Sequence, residues 1–366
     1  MRSIILTSLT VLLLFGCVNY SEKNSGIETV DFKRVSMKPF SQAETLDIIA
    51  ASLQIPLHFT DDMYLKRIDI IKTYDKKFYI ADGFFRSANF IVFDSNGMPI
   101  STVGSRGNGP GEYINISDFD IDKNGYIHLV DGNRDCLLIF NSAYKYVETK
   151  KLPFDVDLIK CLDDGNYLLA LSSWNTGEYE NDMLVIADKE LNVIESVVKH
   201  DKSIVDNNFR LSKSGFAEAF GKIFFKQANI DDIVYVLNRS GHLDLVYYFD
   251  FGSAKVPHDY RKNLEPHYET KTLHNYRTLA DFAIVNEKYA LGTIWDKGMG
   301  KCFLLTRSDR TMYEKPILQP DDSSESFLNI LDDNLVTLIT GTNEIAGSMG
   351  EIETWSYFTL CFYTLQ

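Results

Sequence analysis

Basic residues are scarce in this chain: 37 lysines and arginines stand against 51 acidic residues, a net charge of −14 over 366 residues. That balance repels polyanions and excludes non-specific binding to nucleic acid or to an anionic membrane surface as a primary role. Proline is also scarce, with 9 residues, and no second hydrophobic run after the N-terminus reaches membrane-spanning length. Catalytic signatures are missing too. No HExxH, GxSxG or Cys/His pattern occurs, and the glycine-rich stretch at residues 104–113 lacks the Lys-Ser/Thr of a phosphate-binding P-loop. No CxxC pair exists. Cys136, Cys161, Cys302 and Cys361 each lie in an apolar stretch, which reads as buried strand thiols, with a disulfide left open by an exported context. What is abundant is aromatic: 24 Phe and 20 Tyr favour strands over long helices.

The N-terminus reads as a processing signal. Arg2 supplies a positive start, Ile4 to Phe15 form a short apolar run, and Leu14-Phe15-Gly16-Cys17 resembles the bacterial lipobox, a small residue before a cysteine whose thiol takes a diacylglycerol. Residues 1–16 are then a lipoprotein signal peptide, Cys17 the lipidation site, and residues 17–28 a polar tether. Removing one of the 37 basic residues with the signal leaves 36 against 51 acidic ones, a net charge of −15. The acids are dispersed, which reads as solubility rather than a binding tail. Val18-Asn19-Tyr20 lacks the acidic run linked to surface export, so the expected location is the outer membrane, facing the periplasm.

Residues 29–366 read as one domain built on a repeat. Six segments share an apolar strand, a tight polar turn, a second apolar strand, a variable loop and another strand pair; they start near Ile68, Phe119, Leu158, Phe216, Phe282 and Phe327. Asp94-Ser95-Asn96-Gly97, Asp163-Asp164-Gly165-Asn166 and Asn238-Arg239-Ser240-Gly241 place Gly or Asn where a turn needs positive φ. Four strands per unit at about 40 to 65 residues suit a propeller blade. The expected fold is therefore all-β, a six-bladed β-propeller with four-stranded antiparallel blades, closed by an N-terminal strand. Val30 to Met37 and Ile55 to Phe59 are the candidates for that strand, with one helical turn at Ser41 to Glu44 between them. A polar, tyrosine-rich insertion occupies about 253–279.

Two motifs inside the repeat invite chemistry. Asp120, Asp122, Asn124, Gly125 and Asp131 have the letters of an EF-hand loop, but alternating apolar residues flank them on both sides. A blade hairpin turning at Lys123-Asn124-Gly125 is the expected structure. The stretch GSRGNGPGEY can cradle an anion with its amides and Arg106, or can simply carry the chain tightly between blades with Arg106 and Glu112 available for pairing.

The same stretch carries a family resemblance. Gly104, Arg106, Gly107, Gly109, Pro110, Gly111 and Glu112, with FIVFDSNGMPISTVG before and SDFDIDKNGYIHLVD after, resemble the glycine-rich corner of six-bladed propeller lipoproteins of Bacteroides-type bacteria with NHL-like repeats. IPLHFTDDMYLKRIDII and YYFDFG fit the same pattern. The likeness is strong from Ile55 to Phe140 and loose after Leu279. It implies six blades and a lipid anchor, and says little about activity.

His258, His267 and His274, with Glu265 and Glu269, lie in the insertion at spacings unlike a compact metal motif, so no metal or other cofactor is expected. Arg106, Trp174, Tyr179, His258, Tyr260 and His267 are the candidate binding residues, because irregular loops carry function on regular scaffolds. The expected role is a membrane-anchored binding or interaction module outside the cytoplasm, its partner a protein, peptide or glycan. The alternative is a propeller hydrolase or lyase, metal-assisted, with its site at the channel mouth.

Overall fold

The structure is a computed structural model that describes residues 26–33, 35–39, 49–82, 89–201, 215–227, 231–316, 323–346 and 352–365. Six sheets follow one another along the chain, each running from an inner to an outer strand in sequence order except where an N-terminal strand is added at the outer edge of the last three. Their innermost strands are Ile70–Tyr74, Asp118–Ile121, Val156–Cys161, Gly215–Ala219, Arg277–Val285 and Ser323–Leu331, which open blades 1 to 6. Middle strands are apolar and buried on both faces, as in Cys136–Phe140 of blade 2 and Tyr167–Leu171 of blade 3, because each blade is sandwiched between two neighbours. Residues from adjacent blades form the shared cores: Phe90 of blade 1 meets Phe119 of blade 2 with ring centroids 4.2 Å apart.

A side-chain acceptor sets the outer hairpins. Asp94, Asn141, Asp188 and Asn238, spaced 47, 47 and 50 residues apart, each accept two backbone N–H bonds from the residues two and four positions on. The residue between those donors has positive φ: Gly97, Tyr144, Leu191 and Gly241. These amide bonds hold the Asp94 carboxyl below its ordinary range, and at Asp188 the Asn192 side chain leads in the same direction.

The ring is closed from the N-terminus, but not by the whole of either expected segment. Ile49–Pro56 pairs antiparallel with Ile352–Leu365 and supplies the fourth strand of blade 6, so closure comes mostly from residues N-terminal to the Ile55–Phe59 candidate. The Val30–Met37 candidate does not close the ring. Its two ends belong to Gly26–Asp31, a fifth strand parallel to the outer strand of blade 4, and Ser36–Pro39, which does the same for blade 5. The strand Gly26–Asp31 also takes in the last residues of the expected tether. Ser41 to Glu44 and Cys17 lie outside the described residues.

Between the two parallel strands the chain is nailed down at Phe32, which is 2% exposed and packs on Phe249 and Phe251 of blade 4 and Phe303 of blade 5. Arg307 and Arg310 in the outer hairpin of blade 5 pair with Glu28 and Asp31. The N-terminal segment thus joins blades 4, 5 and 6 in turn. Phe32→Ala is expected to cost about 3–5 kcal/mol, the usual range for emptying a buried aromatic site, read as a fall in the denaturant midpoint of the intact chain. A loss under 1 kcal/mol would show that the strap is dispensable.

Candidate functional site: the charged mouth of the channel

Within a blade the first connection turns at the exit end of the inner strand, while the second connection and the crossing to the next blade return to the entry end. The inner strands point the same way. Asp118 accepts from Ile159 N–H at 3.0 Å and Asp120 from Cys161 N–H at 2.7 Å, the same offset twice. Every loop residue predicted from the sequence therefore belongs to the entry end.

Those loop residues are mostly occupied in packing. Tyr179 lies against Phe154, rings 5.1 Å apart, and packs its loop down. Tyr260 stacks flat on His267 at 3.7 Å and edges onto Tyr276, so the insertion binds to itself over a small core of Val256, Leu264 and Leu273. His258 opens a one-turn helix, His258–Arg261, and His274 covers Gly298 of blade 5. The residue that anchors the insertion was missed: Arg261, 4% exposed, donates to Asp232 at 2.7 Å, and Asp232 also accepts from Thr278 and Leu279. Trp174 is 53% exposed in the loop after the second strand of blade 3.

Arg106 sits on an exposed two-residue bridge, Ser105–Arg106 with Glu112–Tyr113. The glycines around it are structural. A side chain on Gly104 would collide with the Gly111 carbonyl at 2.6 Å, and one on Gly107 with the Glu112 carboxylate. Glu112 accepts from Gly109 N–H at 2.7 Å. The EF-hand letters also form a hairpin: Asp118–Ile121 pairs with Ile127–Asp131. Asp120 faces blade 3, Asp122 accepts from Asn124 and Tyr126, and Asp131 accepts from Ile114 and Asn133. Their oxygens diverge, and among the described residues no three His, Cys, Asp or Glu side chains converge as metal ligands.

The exit end holds what the loops do not. A cavity of about 240 Å³ opens there, lined by the inner strands or first turns of blades 1, 2, 3, 4 and 6, with Ile223 from the second strand and Arg239 from the outer hairpin of blade 4. Four of those strands each present one charge to the cavity, alternating in sign around the axis: Lys72, Asp120, Lys160 and Glu218. Lys160 Nζ lies 3.0 Å from Asp120 and 2.6 Å from Glu218, and Arg239 reaches Glu218 at 3.1 Å. Burial alone would lower the Lys160 pKa, but the two carboxylates outweigh it and raise it. Burial pushes the fully enclosed Asp118 carboxyl up, against the pull of Lys72 and the Ile159 amide. Asp332 at the rim is likewise raised, by burial and then by Glu218. The Cys161 thiol is pushed well up by burial, which marks it as packing rather than nucleophile.

The rim is tied turn to turn. Tyr74 Oη donates to the Lys123 carbonyl at 3.0 Å, Lys123 Nζ to the Asp163 carbonyl at 2.9 Å, and Phe220 N–H to Asp333. One cation is left over. Lys72 is 7% exposed and lines the cavity, yet among the described residues its ammonium makes no ion pair and no hydrogen bond.

Fold and mouth together define a six-bladed propeller with a charged axial pocket. The chain belongs to the DUF5128 family, described as a six-bladed β-propeller, whose model matches residues 20–319. Among solved structures it is similar to a Bacteroides fragilis protein described as exported, at 16% identity and a TM-score of 0.66 over 92% of this chain and 100% of that one. A Bacteroides vulgatus member of the DUF4221 family (11% identity, TM-score 0.43, 87% and 97% covered) and a Staphylococcus aureus virginiamycin B lyase (11%, 0.43, 86% and 99%) are more distant. No curated protein matches the sequence.

Lys160→Ala leaves Asp120 and Glu218 as buried carboxylates without their shared cation. A loss of about 3–5 kcal/mol at pH 7 is expected. Chemical denaturation of the intact chain at pH 7 checks this: a loss under about 1 kcal/mol would show that the ion pairs are dispensable.

Proposed function

We propose that this chain is an exported, lipid-anchored propeller that works as a binding module and takes a small polar ligand into the charged mouth of its channel. The observation that carries this reading is Lys72, a largely buried side chain lining the cavity, whose ammonium makes no hydrogen bond and no ion pair within 4 Å among the described residues. Its donors are left for whatever enters the cavity. Export is supported by the apolar segment after Arg2 and by the description of the Bacteroides fragilis neighbour. A diacylglycerol on Cys17 would hold the protein to the outer membrane, facing the periplasm. Trp174, more than half exposed at the opposite end, favours a second contact there with a protein, peptide or glycan.

Ligand binding in the mouth is tested with Thr73→Trp, which fills a lining position. Sugars, amino acids and short peptides are screened for thermal stabilisation of the intact protein. A ligand at 100 times its Kd stabilises by about 2.7 kcal/mol, and the gain should vanish in the variant. Stabilisation that persists in Thr73→Trp would move binding away from the mouth. For the anchor, Cys17→Ala is expected to abolish incorporation of labelled palmitate and to shift the protein from the membrane to the soluble fraction. Unchanged fractionation would refute lipid attachment.

A further inference from the structure

The chemistry of the mouth narrows the ligand. This step rests on the binding reading above and adds the class of molecule bound. The cavity volume of about 240 Å³ suits one small ring or one amino acid and excludes an oligosaccharide chain. The cations around it are unequally committed. Lys160 is held between Asp120 and Glu218, Lys123 is spent on the Asp163 carbonyl, and Arg239 is shared with Glu218. Among the described lining cations only Lys72 makes neither an ion pair within 4 Å nor a hydrogen bond; it acts on the enclosed Asp118 through space, and its side chain is 7% exposed.

Acceptors crowd the same space. Asp332 meets no cation within 4 Å and touches only the Thr73 hydroxyl, at 3.5 Å. Asp122 Oδ1 is satisfied by its own turn, while Oδ2 stands 3.5 Å from His128, too far for a strong hydrogen bond. One free ammonium among several carboxylates repels a doubly charged phosphate. It suits a molecule with a single negative charge and several hydrogen-bond donors.

We infer that the mouth is a carboxylate-recognition site, in which Lys72 takes the carboxylate of a small sugar acid or amino acid while Asp332 accepts its hydroxyl or ammonium hydrogens. The two sources share one chemistry: a monoanionic carboxylate beside donor groups on a compact skeleton. No bond is made or broken.

Titration calorimetry of the intact protein distinguishes them, using glucuronate, glucose, glutamate and inorganic phosphate as probes. Glucuronate or glutamate should bind, and glucose and phosphate should not. Lys72→Met should weaken the carboxylate about 10- to 100-fold, the span of one charge-assisted hydrogen bond, and Lys72→Arg should retain most of the affinity. Unfolding midpoints of both variants establish that they fold. Glucose binding as well as glucuronate, phosphate binding more tightly than either acid, or a Lys72→Met variant of unchanged affinity would overturn the assignment. If a neutral probe binds and Thr73→Trp blocks it, the pocket stands and only the carboxylate inference fails. If no probe binds in a manner sensitive to Thr73→Trp, both fail.

Discussion

A ring of sheets must join its last blade to its first, and here that constraint is met by residues 49–56. Blade 6 makes only three strands from its own sequence, and its outer edge is completed by Ile49–Pro56 paired along Thr359–Leu365. Without that strand the ends of the ring are held only by face-to-face packing, and a row of backbone donors and acceptors is left open. The two parallel strands upstream extend the same device. They carry the chain across blades 4 and 5 before it reaches the seam, so closure is spread over three blades. Parallel pairing costs little in sequence terms, because it needs neither a hairpin turn nor strict alternation.

A second constraint acts at the axis, where six inner strands converge. Large apolar side chains from six directions do not fit, and small ones leave space. Blades 1 to 4 answer with long charged side chains of alternating sign, so that a lysine such as Lys160 can span two neighbours. Blades 4 and 6 also meet directly: Asn329 donates to the Phe216 carbonyl and Phe220 to Asp333, drawing their inner strands together in front of blade 5. The cavity is what remains on the side of blades 1 to 3. Its position follows from this uneven closing of the ring.

The repeat was readable because the forces that shape a blade are local. Asp94 and Asn238 with their glycines announce outer hairpins, and two-residue alternation announces the strands. The matching turns at Asn141 and Asp188 are quieter, since Tyr144 and Leu191 take the left-handed position where glycine is expected. Ring closure was harder to place. Residues 26–31, 36–39 and 49–56 pair with partners more than 200 positions away, and nothing in a short stretch names its partner. The mouth was missed for a different reason. Lys72, Asp120, Lys160 and Glu218 each look like an ordinary charge in a strand, and only the ring brings them together. The available signal was their recurrence in the first strand of four successive units, the strand that faces the axis. The histidines and tyrosines of the insertion are the more conspicuous residues in the sequence, and Tyr260, His267 and Tyr276 pack on one another.

The ring contains its own control for what the charges are for. The inner strand of blade 6 makes its contact across the ring with an uncharged side chain, Asn329, which donates to the Phe216 carbonyl of blade 4. The architecture does not demand ions at its axis. Buried ion pairs are also a poor way to gain stability, since hydrophobic replacements of similar volume are often neutral or better. Fold stability alone therefore does not account for a pocket edged by Lys72, Lys160, Arg239, Glu218 and Asp332. The network has a different physical consequence: it holds Lys160 and Arg239 in fixed pairs and leaves Lys72 as the one described lining cation with neither a close ion pair nor a hydrogen bond. A lysine whose side chain is largely held by packing, in a cavity of small-molecule size, is already ordered before any ligand arrives. Binding then avoids much of the ordering that a surface lysine would undergo. That preorganisation gives the exit end, rather than the self-packed insertion, the properties of a binding site.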